Sequence, residues 1–320
     1  MGVGTVHVSV MMAEALAALA VRPGGVYIDG TLGYAGHAWE ILQRAGPAGR
    51  LLGLDRDQAA LSQASVRLQG APGTAVLVHG DHSALGSLAR THGFGAVDGV
   101  LLDLGVNSAQ LDLAERGFSF MRDGPLDMRL DGSQGETAAD WLARSDEGAL
   151  AGLFRTLGEE PRAGTIARAI VREQRREPIV TTARLAQIVA TASHWHGGRR
   201  HPATRVFQAL RMAVNDELGA LRAALAEGLP LLRPGGRMVV ISFESLTDRE
   251  VKTAFAAHVG RLVSLPQGGA RWEGQLPAMA FVQRHPATPG ETEIAANPRA
   301  RSAKLRAVRR LTPVEEAQLL

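Results

Sequence analysis

The sequence predicts an α/β fold, a doubly wound, Rossmann-like parallel sheet interrupted by an inserted helical domain. Two observations support this prediction. Short apolar runs alternate with helical segments over the first third of the chain, and three runs end in aspartate, at Asp29, Asp55 and Asp103. The alternation then stops for about 100 residues and resumes at a Pro-Gly-Gly turn. An apolar run closed by an acid is typical of a buried parallel strand whose carboxyl end faces a ligand crevice.

Turn-forming residues and changes of apolar period give the element boundaries in order. A Pro-Gly-Gly segment at 23–25 ends the first helix, and a glycine-rich loop follows the first strand. The predicted elements are a helix over 12–20, a strand over 26–29, a helix over 36–45, a strand over 51–55, a helix over 58–68, a strand over 75–78, a helix after Ser83, a strand over 100–103, helices over 165–176, 182–193 and 202–215, a strand over 238–243, a helix over 246–257 and a strand over 279–282.

These elements divide the chain into four segments. Residues 1–110 and 218–296 are predicted to form the sheet domain, and residues 111–217 the helical insertion. Residues 297–320 are predicted to form a basic tail, because six basic residues and no acid occur between 297 and 311. A basic segment of this kind contacts nucleic-acid phosphates in many proteins, although a solvated tail has the same composition. The candidate RNA contacts in the tail are Arg299, Arg301, Lys304 and Arg306.

Composition favours an enzyme of the cytoplasm. Hydrophobic residues make up 45% of the chain, enough for a sizeable core, and no apolar run reaches the roughly 18 residues of a membrane span. No basic segment leads into an apolar one near residue 1, which argues against a secretory signal. Cysteine is absent, so disulfides, thiolate zinc sites and cysteine nucleophiles are excluded. Aromatic residues are only 4%, which disfavours an extended stacking surface for single strands.

The loop after Asp29 bears on the cofactor. Gly30, Gly33 and Gly36 are spaced by three, which differs from the G-x-G-x-x-G loop that cradles a pyrophosphate. S-adenosylmethionine has no phosphate and carries a sulfonium cation, so a crevice lined by Asp29 and other carboxylates suits it better. Asp55 follows about one βαβ step later, where an acid accepts hydrogen bonds from ribose hydroxyls. A dinucleotide site, or a structural turn without a ligand, stays open as an alternative.

A polar stripe is predicted on the helix that starts at Pro202. Its members follow one another at steps of three or four residues, and their side chains suit base and phosphate contacts. A solvated helix face explains the same pattern. The stripe consists of Arg205, Gln208, Arg211 and Asn215.

No metal site is predicted. Acids at 123, 127 and 131 are interrupted by a Gly-Pro pair, which breaks the helical face that this spacing would need. The histidines at 194, 196 and 201 lack both a helical ligand spacing and a nearby carboxylate in sequence.

Several strings of this chain resemble one family. They occupy residues 29–37, 102–112, 116–131, 201–215, 241–249 and 297–306. In this order they are similar to the motifs of the bacterial 16S rRNA cytosine-N4 methyltransferases, the RsmH or MraW family, and the resemblance covers residues 7–306. It implies a class I methyltransferase fold and methylation of cytosine 1402 of 16S rRNA in the small ribosomal subunit. The cofactor contacts that it implies are Ala35, Gly36, His37, Asp55, His82, Asp103 and Gln110.

Three positions depart from the family pattern. The family usually has glycine where Ala35 stands and serine where Asn107 stands. It usually has His-Ser-Leu-Glu-Asp-Arg where this chain has Glu-Ser-Leu-Thr-Asp-Arg at 244–249. A role that the family's histidine performs through its imidazole therefore cannot be carried over to Glu244.

The chemistry of an exocyclic amine leads to candidate catalytic residues. The lone pair of this amine is delocalised into the ring, so an enzyme must orient it and supply acceptors for its N–H groups. Asp103 and Asn107, at the end of an inner strand, are the candidates. A non-catalytic rRNA-binding assembly factor and a dinucleotide-dependent oxidoreductase are the rival classes. The sequence does not indicate an oligomeric state.

Overall fold

A seven-stranded sheet forms the larger part of the computed structural model, which describes residues 9–106, 108–198, 201–264, 267, 269–273 and 276–319. Five strands are parallel, and two strands at one edge run antiparallel to their neighbours. The strands are β1 Val26–Asp29, β2 Arg50–Asp55, β3 Thr74–His79, β4 Val97–Asp103, β5 Leu232–Ser242, β8 Met279–Phe281 and β9 Lys304–Arg310, in the order β3-β2-β1-β4-β5-β9-β8. A separate hairpin pairs β6 Arg261–Ser264 with β7 Ala270–Glu273.

The strand order reverses between β1 and β4, which pair directly. At such a switch point the connecting loops diverge, and a crevice opens beyond the carboxyl ends of the strands. Asp29 and Asp103 end the two strands on either side of this point, and Asp55 ends β2 on the far side of β1. The predicted α/β fold with a doubly wound sheet is confirmed.

Helices cover both faces of the sheet, because alternate strand residues are apolar on each side. On one face Tyr27 and Leu51 pack against the first three helices, and on the other Ile28 and Leu52 pack against the later ones. The helices of this part are α1 Met12–Leu19, α2 Gly36–Ala45, α3 Gln58–Leu68, α4 Leu85–Thr91, α11 Glu217–Leu231, α12 Ser245–Val259, α13 Glu291–Ala296 and α14 Pro313–Ala317.

The helical unit comprises Val106–Glu217, and the sheet unit comprises Met1–Gly105 with Leu218–Leu320. Leu150, Phe154 and Ile166 are among the residues that build the separate core of the helical unit. Its helices are α5 Ser108–Asp112, α6 Ala138–Arg144, α7 Glu147–Thr156, α8 Ala163–Gln174, α9 Thr182–Ala192 and α10 Ala203–Val214. Among its described residues, extended pairing is limited to one bridge, between Pro125 and Thr181.

The segment expected to be a basic tail is instead part of the sheet. β9 lies between β5 and β8 and is antiparallel to both. Leu305 and Ala307 of β9 are buried in the core, whereas Lys304 and Arg306 alternate with them. Val308, which shares a face with Lys304 and Arg306, is also buried, so β9 packs on both faces. The free-tail expectation for 297–320 is corrected accordingly: four of the six basic residues lie on a packed strand, and Arg299 and Arg301 precede it.

Candidate functional site

The loop between β1 and α2 is bound to the end of β4. Gly30 N donates to Leu101 O at 2.9 Å, and Asp103 N donates to Thr31 Oγ1 at 2.6 Å. Thr31 N in turn donates to Asp29 Oδ1 at 3.1 Å. These bonds hold the loop against the strand ends and bring the carboxylates of Asp29 and Asp103 to the same edge of the sheet.

Asp55 organises the next turn of the same loop. Its Oδ2 accepts a hydrogen bond from Gly33 N at 2.7 Å, and its Oδ1 accepts one from Asp57 N at 2.8 Å. Gly33 has φ of +50°, a left-handed conformation that glycine adopts without a steric penalty. Burial raises the pKa of Asp55, although the two backbone donors oppose this. A carboxylate oxygen accepts more than one hydrogen bond, so acceptor capacity for a ribose hydroxyl remains.

Asp29 and Asp103 lie in surroundings that resist ionisation. Burial, with a contribution from the negative charge of Asp55, raises the pKa of Asp29 to about 7. Burial and the charge of Asp29 raise the pKa of Asp103 to about 8. Asp103 Oδ1 is buried and has no hydrogen-bond partner among the described residues. A cation placed beside these groups would favour their ionised forms.

His37, on the first turn of α2, faces Asp103. The ring is 5% exposed, and its Nε2 lies 3.1 Å from Val10 O. Because a carbonyl only accepts, Nε2 carries the proton of this bond. The other nitrogen, Nδ1, lies 3.8 Å from Asp103 Oδ2. His37 thus connects the start of α2 to the carboxylate at the end of β4.

His82 presents a second unsatisfied polar atom. It begins a short 3₁₀ turn after β3, and its Nε2 is buried without a hydrogen-bond partner in the described part of the chain. Burial and the nearby charge of Arg56 lower the pKa of His82 to about 4, so the ring is neutral at physiological pH. Arg56 itself forms an ion pair with Asp81. Buried polar atoms without partners are rare in folded proteins and indicate a missing ligand or water.

The peptide before α2 explains one departure from the family pattern. Ala35 has φ of 58° and is fully buried. This left-handed conformation costs a residue with a Cβ about 1–2 kcal/mol, and glycine avoids that cost. At Gly36 a Cβ would collide with the Ser9 hydroxyl. The chain at the start of α2 is therefore tightly packed, and only small residues fit at these two positions.

The donor set fits S-adenosylmethionine. Two raised-pKa carboxyls suit its sulfonium and ammonium charges, Asp55 suits a ribose, and His82 Nε2 offers a neutral ring nitrogen. Polar groups of the glycine-rich loop already form hydrogen bonds at the strand ends, and carboxylates lie around the loop. Both features disfavour the binding of a pyrophosphate. No cluster of metal-ligating side chains occurs in the described ranges, and no helix there is long and apolar enough to cross a membrane.

Comparison with known proteins decides the family. The sequence profile of the MraW methylase family matches residues 4–311. The chain belongs to the MraW methylase family. A ribosomal RNA small subunit methyltransferase H from Methylococcus capsulatus is 49% identical over 93% of this chain and 98% of its own. The protein of the same name from Thermomicrobium roseum is 47% identical over 96% of this chain and 94% of its own.

Among solved structures, an rRNA methylase from Streptococcus thermophilus aligns with a TM-score of 0.40 and 11% identity, over 97% of this chain and 100% of that chain. This similarity is too low to bear on function. The family match confirms the predicted methyltransferase activity with S-adenosylmethionine as cofactor.

One predicted cofactor contact of this methylase, Gln110, belongs to the helical unit. Gln110 lies on α5, one of the short helices that begin the unit. Asn107, the second catalytic candidate, lies outside the described residues. Their roles remain predictions from the sequence.

The predicted stripe on α10 is largely engaged within the methylase. Arg211 forms a two-bonded ion pair with Glu217, at 2.7 and 2.9 Å. Asn215 accepts from Leu130 N at 2.8 Å and donates to Met128 O at 2.8 Å, which ties α10 to the loop before α6. Contacts of this kind suit a structural role.

The other two members of the stripe point elsewhere. Gln208 Nε2 reaches Leu157 O at 3.4 Å, a weak bond. Arg205 is 39% exposed, and its Nη1 lies 3.8 Å from Glu160 Oε2. Arg205 therefore stays the strongest RNA candidate of the four, and RNA contact by any of them remains a prediction.

The four candidate RNA contacts near the C-terminus of the methylase divide into two pairs. Arg299 and Arg301 lie in the exposed 3₁₀ turn Pro298–Ser302. Lys304 and Arg306 contact the buried carboxylate of Asp248 on α12, with distances of 3.1 Å from Lys304 and 2.6 Å from Arg306. The second pair therefore has a structural partner that the sequence did not reveal.

Sequence reasoning missed Thr31 and Asp248. Thr31 was one polar residue in a loop read for its glycines, yet its hydroxyl binds the backbone of Asp103. Asp248 lies in the 244–249 string, where the sequence does not identify its basic partners. An acid in a buried helical turn is a signal for an ion pair, but only the fold identifies the strand that supplies the cations.

Proposed function

We propose that this methylase transfers a methyl group from S-adenosylmethionine to the N4 amino group of cytosine 1402 of 16S rRNA, in the cytoplasm and on the small ribosomal subunit. The observation that carries the substrate class is the 49% identity, over nearly the whole chain, to a ribosomal RNA small subunit methyltransferase H. The target base and atom rest on the motif resemblance and on the chemistry of the site.

The residues of the crevice have distinct expected roles. When bound, the cofactor supplies an electrophilic methyl group on a sulfonium. Asp29, Asp55 and His82 would hold its charged and polar groups, while Ala35, Gly36 and His37 would allow its approach to the start of α2. Fixing both partners in line removes most of the entropy of the encounter, which supplies much of the rate.

Asp103 is the candidate acceptor for the amine. Its Oδ1 is buried and without a partner among the described residues, so a substrate N–H would satisfy it. In the transfer an N–C bond forms as the S–C bond breaks, which leaves S-adenosylhomocysteine and a proton from the amine. A carboxylate beside the amine stabilises the positive charge that develops on nitrogen.

The absence of cysteine agrees with amine chemistry. Methylation of cytosine at C5 commonly proceeds through a cysteine adduct on the ring, and this chain contains no cysteine. Transfer to an exocyclic amine needs acceptors and orientation instead. These are the features of the Asp103 site.

The decisive experiment uses small subunits from a strain that lacks the gene. Incubation with the purified enzyme and S-adenosylmethionine should yield N4-methylcytidine, detected by nucleoside mass spectrometry and mapped to position 1402 by fragment analysis. C5-methylcytidine, or methylation elsewhere in the rRNA, would overturn the proposal. Naked 16S rRNA in parallel distinguishes the free RNA from the assembled subunit as substrate.

Asn107 gives a test of the amine contact. Asn107→Ala should lower kcat more than it weakens cofactor binding, because a contact to the amine strengthens as the nitrogen becomes tetrahedral. Asn107→Ser should recover much of the activity, since the family usually has serine there. Full activity in Asn107→Ala would leave the N4 assignment standing and move the acceptor role to another residue.

The rival classes predict different ligands. A non-catalytic assembly factor would bind rRNA without needing the cofactor, and an oxidoreductase would bind NAD. Calorimetric titration with S-adenosylmethionine and with NAD separates the three: binding of the first alone supports the methylase, and binding of NAD alone would contradict it.

A further inference from the structure

A groove in the helical unit has the chemistry of a nucleotide site. It forms where the residues before α8, the residues after α9 and the first turn of α10 come together. All of its lining residues belong to the helical unit, and none was assigned to the cofactor. The residues that carry the argument are Glu160, Ser193, Trp195, His201 and Arg205.

The aromatic side of the groove is a small stack with one accessible member. The Trp195 ring lies 4.4 Å from that of His201, and the His201 ring lies 4.9 Å from that of Phe120. Burial lowers the pKa of His201, and its Nδ1 accepts a hydrogen bond from Ala203 N at 3.1 Å, so the ring is held neutral and fixed. Trp195 is 38% exposed. Its free surface can stack on a nucleic-acid base, because every base has a π-face.

The polar side contains a hydroxyl that no group in the described part of the chain satisfies. Ser193 is 5% exposed, and its Oγ is buried without a hydrogen-bond partner among the described residues. Its backbone carbonyl accepts from the Arg162 guanidinium, which fixes the position of the residue. A buried hydroxyl of this kind, on the wall of a groove, indicates a ligand group that would complete it.

Glu160 adds a buried negative group. It is 7% exposed, and its Oε1 accepts from Arg162 N at 2.9 Å. Oε2 lies 3.8 Å from Arg205 Nη1, too far for a hydrogen bond, and keeps capacity to accept one. A carboxylate oxygen accepts from the exocyclic amine of cytosine, adenine or guanine, whereas uracil offers a carbonyl at the corresponding position.

We propose that this groove binds one nucleotide of single-stranded RNA that bears an amino group. The base stacks on Trp195, its polar edge contacts Ser193 Oγ and the Glu160 carboxylate, and the exposed Arg205 contacts the phosphate. That the RNA is ribosomal rests on the proposed function, whereas the nucleotide chemistry of the groove does not.

The test measures binding of a short fluorescein-labelled oligocytidylate to the full chain by anisotropy, with cytidine and uridine monophosphates as competitors. Trp195→Ala should weaken binding about tenfold or more, which corresponds to the loss of one stacked base. Trp195→Phe keeps an aromatic face and should retain most of the affinity. Ser193→Ala should weaken binding a few-fold. Cytidine monophosphate should compete better than uridine monophosphate.

The matched control is Arg168→Ala, since Arg168 is an exposed arginine of α8 that pairs with Glu147 outside the groove. It should bind as the wild type does, and all variants should keep their affinity for S-adenosylmethionine. Equal binding by wild type, Trp195→Ala and Ser193→Ala would overturn the proposal, as would equal losses in the control. Wild type that binds through the groove but does not methylate rRNA would overturn only the proposed function.

Discussion

Asp29 and Asp103 are two carboxyls that the protein keeps partly protonated near neutral pH. Both have raised pKa values, about 7 and about 8, because burial disfavours the charged form and each lies near another acid. Because both pKa values are higher in the folded state than in the unfolded chain, protonation of these groups stabilises the fold. This stabilisation is complete below about pH 4 and is lost as the pH rises through the raised pKa values. A cationic ligand reverses this cost, since it interacts with the ionised forms.

Cofactor affinity should therefore rise with pH. Below pH 7 binding of S-adenosylmethionine must expel protons from Asp29 and Asp103, and this cost vanishes above their pKa values. Calorimetry between pH 6 and 8.5 should show an affinity increase of up to about tenfold per pH unit for each proton released. S-adenosylhomocysteine, whose sulfur is neutral, should show a smaller increase, and Asp103→Asn should flatten the profile. Equal slopes for the two ligands would remove the sulfonium from the neighbourhood of these acids.

Asp55 and Asp57 allow a matched comparison two residues apart. Asp55→Ala should weaken S-adenosylmethionine binding by about 1.5–3 kcal/mol, the range for a hydrogen bond to a charged group. Asp57 caps α3 by accepting from Ala59 N at 3.0 Å, so Asp57→Ala should lower the free energy of unfolding by about 1 kcal/mol. The affinity of Asp57→Ala for S-adenosylmethionine should not change. Calorimetry and urea unfolding measure the two effects, and unchanged affinity in Asp55→Ala would remove that residue from the site.

At the scale of elements, β9 is joined to α12 through Asp248. Burial alone would raise the pKa of Asp248, but hydrogen bonds from Arg306 and Lys304 outweigh it and lower the pKa. This pairing stabilises the fold above the ordinary carboxyl pKa, and the stabilisation is lost as pH falls through the lowered value. The antiparallel part of the sheet therefore depends on Lys304 and Arg306, which were predicted from the sequence to contact RNA.

The two pairs of basic residues should consequently respond differently to alanine. Arg306→Ala should lower the free energy of unfolding by about 3 kcal/mol, because Asp248 is left buried and poorly paired. Arg299→Ala with Arg301→Ala should lower it by no more than about 1 kcal/mol, because both side chains are exposed and contacts between exposed charges are weak. That double variant should weaken RNA binding and flatten its salt dependence by a little under one unit per lost phosphate contact. RNA binding equal to wild type at every salt concentration would show that Arg299 and Arg301 contact no phosphate.

The elements that the sequence predicted best are those whose signals are local. β1, β2 and β4 are apolar runs closed by an acid, and their bounds differ from the prediction by a few residues at most. β9 was missed because basic residues interrupt its apolar pattern. Their partners, such as Asp248, are distant in sequence. Likewise Asp103 was identified from its position, but its orphaned oxygen and its neighbour His37 follow only from the packing of the loop.

At the scale of the whole molecule, the residues predicted to bind ligands occur in both units. Asp29, Asp55 and Asp103 belong to the sheet unit, whereas Gln110 and the nucleotide groove belong to the helical unit. Each unit has its own hydrophobic core, so each is expected to have its own local stability. A ligand stabilises every element that it binds in the native state, so the protection that it confers identifies the elements that contact it.

Hydrogen exchange with and without S-adenosylhomocysteine tests which elements contact the cofactor. At a ligand concentration of about 100 times Kd, the elements that bind should gain roughly 2.7 kcal/mol of protection where exchange requires their opening. We expect protection at the loop after β1, at the turn after β2 and at the His82 turn, and also over α5 if Gln110 contacts the cofactor. Gln110→Ala should abolish the gain over α5 and leave the sheet-unit loops protected. Protection confined to the sheet unit in the wild type would instead show that this unit binds the cofactor alone, and that the helical unit contributes only to RNA.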